Sequence, residues 1–230
     1  MIINGIQKLT LLDFPGKTAC TVFLGGCNYA CPFCHNAPLV LPGRERDEIG
    51  EEEFFSFLKK RQGLLEGVCI TGGEPTLRRD LAEFIAKIKD LGFLVKLDTN
   101  GTRPEVIKTL LERSLLDYIA MDIKAPIYKY DILAGVEDAL THNILESIDL
   151  IKISGIGHEF RTTVTDELHT AEDIAAICEL IKGEERYFLQ PYKDSGDIIC
   201  PGFTPPSAEK LAKFIESGRH LVPNISLRAE

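Results

Sequence analysis

Short apolar runs alternate with longer stretches of helical periodicity along most of the chain. Residues 17–24, 67–71, 92–98, 117–122, 159–164 and 186–190 read as strands. The intervals read as helices, most clearly residues 79–91, where Leu81, Phe84, Ile85, Ile88 and Leu91 recur at helical spacing and form one buried face. The acidic run Glu51-Glu52-Glu53 fits the solvated first turn of another helix, where negative charge suits the helix dipole. This alternation predicts an α/β fold of about six βα units around a parallel sheet. In such folds the loops at the carboxyl ends of the strands carry ligands, so the strand exits are where chemistry is expected.

Composition narrows the setting. A chain of 230 residues that is 44% hydrophobic can bury one sizeable core, and a single domain over 1–230 is expected. The opening Met-Ile-Ile-Asn-Gly-Ile-Gln-Lys is too short in apolar run for a signal peptide, and no stretch approaches membrane-spanning length. A cytoplasmic protein without a membrane partner is the expectation. The net charge of −9 argues against a broad phosphate-binding surface and so against nucleic acid as a partner. Seven cysteines in a chain without an export signal favour a reducing compartment and a metal role over disulfides. Of these, Cys20, Cys69, Cys178 and Cys200 have no close-spaced companions and read as small apolar residues.

The remaining three fall together in Cys27-Asn28-Tyr29-Ala30-Cys31-Pro32-Phe33-Cys34, directly after the first strand. Four thiolates complete an ordinary iron-sulfur cluster and four Cys/His ligands a structural zinc site, so this group is one ligand short. His35 adjoins Cys34 and is poorly placed to meet the same tetrahedral ion; a redox dithiol at Cys31 and Cys34 would leave Cys27 unexplained. Other strand exits are also polar. Thr71-Gly72-Gly73-Glu74-Pro75 follows the second strand, with paired glycines that let backbone groups approach a ligand. Asp98-Thr99-Asn100-Gly101 ends the third and Met121-Asp122-Ile123-Lys124 the fourth. On residue type alone, Asp98 serves equally well as a cap and Lys124 as a solvated surface residue. Arg161 on the fifth strand suits either a carboxylate ligand or an ordinary salt bridge, and Gln190-Pro191-Tyr192 reads as a structural turn closing the sixth.

The spacing Cys-x3-Cys-x-aromatic-Cys, with Phe33 as the aromatic, resembles the signature of the radical S-adenosylmethionine (SAM) enzymes. The resemblance implies an open, partial (β/α)6 barrel of TIM type with a mostly parallel sheet. It also implies one 4Fe-4S cluster on Cys27, Cys31 and Cys34, with SAM chelating the fourth iron through its amino and carboxylate groups. Gly72, Gly73 and Glu74 would receive the SAM amino group, with Phe33 and His35 beside the cluster. Asp98, Thr99, Asp122 and Lys124 look like the SAM pocket of glycyl-radical-enzyme activases such as pyruvate formate-lyase activating enzyme. That group also implies a monovalent cation near Asp98, Thr99, Met121 and Asp122, and hard oxygen ligands suit one. The interval from Cys34 to Gly72 is too short and cysteine-poor for a ferredoxin-like insertion, so one cluster is expected.

Residues 6–16, continued through Cys34-His35-Asn36, look most like the activating proteins of anaerobic ribonucleoside-triphosphate reductases. The implied partners are a glycyl radical enzyme, anaerobic ribonucleotide reductase by this resemblance, and an external one-electron donor such as flavodoxin or ferredoxin. His169 lies near the place of an activase histidine that contacts SAM, but its offset does not match; it, Arg161 and Cys200 are left without a role. The competing readings are an activase of another glycyl radical enzyme, a radical SAM enzyme acting on a small molecule, and an iron-sulfur or zinc-binding interaction module. The last gives Gly72, Asp98, Asp122 and Lys124 nothing to do.

Overall fold

A computed structural model describes residues 1–41, 48–194 and 196–228. Its strands are β1 (Ile2–Ile3), β2 (Gly5–Thr10), β3 (Ala19–Leu24), β4 (Ile49–Gly50), β5 (Gly67–Gly72), β6 (Leu94–Thr99), β7 (Tyr118–Asp122), β8 (Gly157–Val164), β9 (Tyr187–Pro191) and β10 (Ser226–Leu227). The helices are α1 (Ala37–Val40), α2 (Glu51–Lys59), α3 (Leu81–Asp90), α4 (Pro104–Glu112), α5 (Tyr130–Ala134), α6 (Thr141–Ile153), α7 (Ala171–Leu180) and α8 (Ala208–Gly218). The short β1 and β4 pair with each other. All the other strands form one sheet in the order β10-β9-β8-β7-β6-β5-β3-β2.

The six strands expected from the hydrophobic pattern are β3, β5, β6, β7, β8 and β9, and they are parallel throughout. Two strands escaped that pattern. β2 lies antiparallel on β3 at the sheet edge, with a register shift between Gln7 and Thr10, and three of its six residues face solvent. β10 has two residues and borrows its order from β9. An exposed, irregular edge and a two-residue strand leave little periodicity to read.

Strand alternation sorts each side chain to one of two layers. Val68, Ile70, Val95, Leu97, Ile119 and Met121 are fully buried in the main core. There α3 contributes Leu81, Phe84, Ile85 and Ile88, each worth roughly 2 kcal/mol by burial. Residues of the opposite parity face the barrel interior, and many of them are polar. Helix α2 starts at the acidic run as expected, although Glu51 is only part solvated: it holds the amino terminus at 2.9 Å and Lys87.

The floor of the barrel is made by the turn after β2. Phe14 packs on Tyr118 with ring centroids 6.1 Å apart and against Gly67, where a Cβ would sit 2.8 Å from the Phe14 ring. Asp13 accepts a hydrogen bond from Thr21. Across the open side, Arg228 after β10 donates to the Leu12 carbonyl at 3.3 Å and to Glu159 at 2.6 Å. Its guanidinium also lies 5.1 Å from the centre of the Phe188 ring. A side chain therefore spans two edges that share no backbone pairing. Among the described residues no helix is long and apolar enough to cross a membrane.

Candidate active site

The cysteine loop leaves β3 through Gly26, whose φ of +92° suits glycine. Backbone bonds fix the loop from several directions. Gly26 N–H donates to Leu39 O at 2.7 Å, Ala30 N–H to Ala134 O at 2.9 Å, and Cys200 N–H to Pro32 O at 2.9 Å. The buried Tyr29 hydroxyl donates to Ala139 O. Gly135, at the end of α5, permits the Ala30 contact, since a Cβ there would lie 2.2 Å from Ala30 O. Cys27, Cys31 and Cys34 all open onto one cavity of about 300 Å³ at the strand exits. Burial pushes the Cys27 thiol up to about 11 and the Cys31 thiol to about 12, and raises Cys34 as well.

The same cavity is lined by Phe33, His35, Gly72, Gly73, Asp98, Thr99, Asp122 and Lys124. Of the residues expected to bind SAM, Glu74 is the one outside this lining. Its carboxylate is buried, accepting from Thr76 N–H at 3.0 Å, Thr99 Oγ1 at 2.8 Å and Asn100 N–H at 2.6 Å. Desolvation outweighs these bonds and raises its pKa. Glu74 thus ties the β5 exit to the β6 exit. The paired glycines also have a reason that the sequence did not reveal. A Cβ on Gly72 would meet Leu24 O at 2.4 Å, and one on Gly73 would meet Gly26 O at 2.0 Å. Their bareness lets the β5 exit press against the cysteine loop, joined by Gly73 N–H to Leu24 O and Glu74 N–H to Gly26 O, both at 2.8 Å.

Beneath the thiols runs a ladder of alternating charge. Lys96 binds one Asp98 oxygen, and Arg161 Nη1 binds the other at 3.2 Å. Arg161 Nε donates to Asp122 Oδ1 at 2.8 Å, and Lys124 Nζ to Asp122 Oδ2 at 3.0 Å. Burial opposes both carboxylate charges, but Arg161 with Lys96 holds Asp98 below the usual range and Arg161 with Lys124 holds Asp122 lower still. Lys124 is raised: Asp122, then Cys31, outweigh its desolvation. Lys96 was missed from the sequence, although its spacing of two from Asp98 puts both on one strand face.

The positions expected to hold a monovalent cation are otherwise engaged. All four carboxylate oxygens of Asp98 and Asp122 contact cationic side chains, and Thr99 donates to Glu74. The Met121 side chain packs on the helix side, where a Cβ on Gly101 would meet its Cε at 2.1 Å.

His169 lies under the cavity as a strut. Thr165 N–H donates to its Nδ1 at 3.1 Å, so the proton sits on Nε2, which donates to Lys124 O at 3.3 Å; the ring meets Phe33 edge-on. Burial lowers its pKa to about 4. Because the unfolded imidazole takes up a proton near 6.5, stability is full above that pH and falls as pH drops towards 4, by on the order of 3 kcal/mol. Urea denaturation of His169→Gln should show a shallower loss over this window than wild type; parallel curves would refute the assignment. His35 lines the cavity beside Cys34, and desolvation followed by the Lys124 charge lowers its pKa.

The three sulfurs share a cavity without converging on a point. Among the described residues, no three Cys, His, Asp or Glu side chains are grouped as a single ion's ligands would be. A lone tetrahedral zinc needs every sulfur about 2.3 Å from one centre. A polynuclear cluster takes each sulfur on a different iron, and three thiols around one cavity, Cys31 buried and Cys27 and Cys34 half-buried, fit that donor set.

This fold and site define a radical SAM protein: the chain belongs to the Radical SAM superfamily, whose profile matches residues 21–181. Within it the resemblance is of glycyl-radical activase type. A Methanocaldococcus jannaschii protein named "Putative glycyl-radical enzyme activating enzyme" is 34% identical over 99% of this chain and 95% of its own length. The pyruvate formate-lyase-activating enzyme of Clostridium pasteurianum is 27% identical over 84% of this chain and 83% of its own. Among solved structures, QueE from Escherichia coli superposes on all of this chain and 94% of that one, with a TM-score of 0.58 and 18% identity, a likeness of fold. Other solved chains of this fold are longer, and this chain spans about half of their length.

Proposed function

We propose that this chain is a cytoplasmic activase that cleaves SAM reductively at a 4Fe-4S cluster held by Cys27, Cys31 and Cys34, and so generates a glycyl radical on a partner enzyme. The observation that carries this reading is the shared cavity, with three thiols at one end, Cys31 buried and Cys27 and Cys34 half-buried, and the Asp98, Asp122 and Lys124 ladder at the other. When bound, the cluster would supply the electron that breaks SAM into methionine and a 5′-deoxyadenosyl radical. The chain's own residues bind and orient. Lys124 places a positive charge beside Cys31 and favours its thiolate. Tyr29 and Phe33, both under 5% exposed, keep water from the loop. On the open side Gln7 of β2 and Gln190 of β9 present uncharged amides suited to a peptide backbone.

Anaerobic ribonucleotide reductase is the proposed partner, and flavodoxin or ferredoxin the proposed donor; the first rests on the likeness of residues 6–16, which build the barrel's edge and floor. The deciding experiment reconstitutes the chain anaerobically and mixes it with SAM, dithionite and either anaerobic ribonucleotide reductase or pyruvate formate-lyase. A glycyl doublet by electron paramagnetic resonance with the reductase alone is expected. A doublet with the lyase alone would reassign the partner, and 5′-deoxyadenosine without a doublet on either would point to a small-molecule substrate. Bound zinc without SAM turnover would sink the enzyme reading.

A further inference from the structure

Lys96 is fully buried in the barrel interior, yet it lines neither the cavity nor any surface. Its ammonium sits against Asp98 and 3.8 Å from the Cys69 sulfur, one strand layer below the cavity wall. Around Asp98 and Asp122 stand three cations, Lys96, Arg161 and Lys124, so the set carries a net charge of +1 before any ligand arrives. A fourth positive charge there would meet no free carboxylate oxygen. It would also have to displace one of the protein's own donors from a buried site.

We infer that Lys96 is a positioning residue that neutralises the Asp98–Asp122 pair from within the chain, so that the pocket takes SAM with no alkali cation. This rests on the proposed SAM site, but its key expectation can be read without SAM. A lysine ammonium and a potassium ion supply the same unit charge to a carboxylate; the lysine is tethered and cannot be lost to dilution.

The test compares potassium chloride with choline chloride at matched ionic strength. For the reconstituted wild type, SAM affinity by calorimetry should agree within about twofold between the two salts. Its melting temperature without SAM should also be the same in both. Lys96→Met leaves Asp98 Oδ1 without a cation and with only the Cys69 thiol at 3.8 Å, and should melt higher in potassium than in choline and bind SAM at least ~tenfold more tightly there. Wild-type affinity or melting that depends on potassium would overturn the inference, as would a K96M variant indifferent to it. Should K96M not fold in either salt, the wild-type comparison decides alone. Absence of SAM binding in both salts would count against the functional reading, and the melting comparison would still judge Lys96.

Discussion

Cys31→Ala is expected to yield a folded chain that holds almost no iron and cleaves no SAM. The loop keeps its shape because its anchors are backbone bonds and the Tyr29 hydroxyl: Ala30 N–H to Ala134 O, Cys34 N–H to Cys31 O, Cys200 N–H to Pro32 O. Loss of one buried sulfur should cost only about 1 kcal/mol of stability. Cluster binding, in contrast, loses one of the three proposed protein ligands. Iron per reconstituted chain should fall from about four to background, and 5′-deoxyadenosine formation by at least ~1000-fold. Cys27→Ala and Cys34→Ala should behave alike. Cys69→Ala and Cys200→Ala are the controls and should keep full iron, since neither thiol opens onto the cavity. Retained SAM cleavage in any of the three loop variants would overturn the ligand assignment.

Arg161→Leu should produce the largest loss of fold stability. Arg161 is 8% exposed and lies within 4 Å of carboxylate oxygens from three residues, Asp98, Asp122 and Glu159. Each of those keeps one other cation, Lys96, Lys124 and Arg228 respectively. The loss is nevertheless that of a buried partner, which costs about 3–5 kcal/mol against a total stability of roughly 5–15 kcal/mol. Arg161→Lys retains the charge but cannot span Asp98 and Asp122 with a planar fork, so it should recover only part of the loss. Urea denaturation under anaerobic, reducing conditions measures both. A loss below about 1 kcal/mol for the leucine variant would mean that the bridges behave as solvent-screened surface pairs.

What could be read from the sequence follows which physical signal each residue carries. The six parallel strands were legible because burial on both faces makes apolar runs, and the cysteine loop because ligand spacing is rigid. Asp98, Asp122 and Lys124 were singled out by likeness to an activase pocket, since at the strand exits residue type alone left a cap and a surface residue equally open, and the structure brings the three to one cavity. Lys96 was not, because a lysine inside a strand reads as an exception until its parity with Asp98 is noticed. The packing role of Gly72 and Gly73 was missed for another reason. The atoms they make room for, Leu24 O and Gly26 O, lie 48 and 47 residues earlier, and no local pattern reports a contact at that separation. Glu74 was expected at SAM from the Gly-Gly-Glu resemblance; the converging Thr76, Thr99 and Asn100 donors, which that motif does not report, show its oxygens joining two loops. His169 likewise gains its meaning from Lys124 and Phe33, both distant in the chain.

Arg228 has a mechanical consequence. The two outer strands share no ladder bond, and between them Arg228 reaches the Leu12 carbonyl from its place on Glu159, so parting those strands breaks no rung of the sheet. Swinging a part-exposed arginine is a rotamer change, faster by orders of magnitude than peeling a paired strand. Unlatching that side chain would open the barrel between its outer strands while leaving in place the backbone bonds that hold the cysteine loop, Ala30 N–H to Ala134 O and Gly26 N–H to Leu39 O.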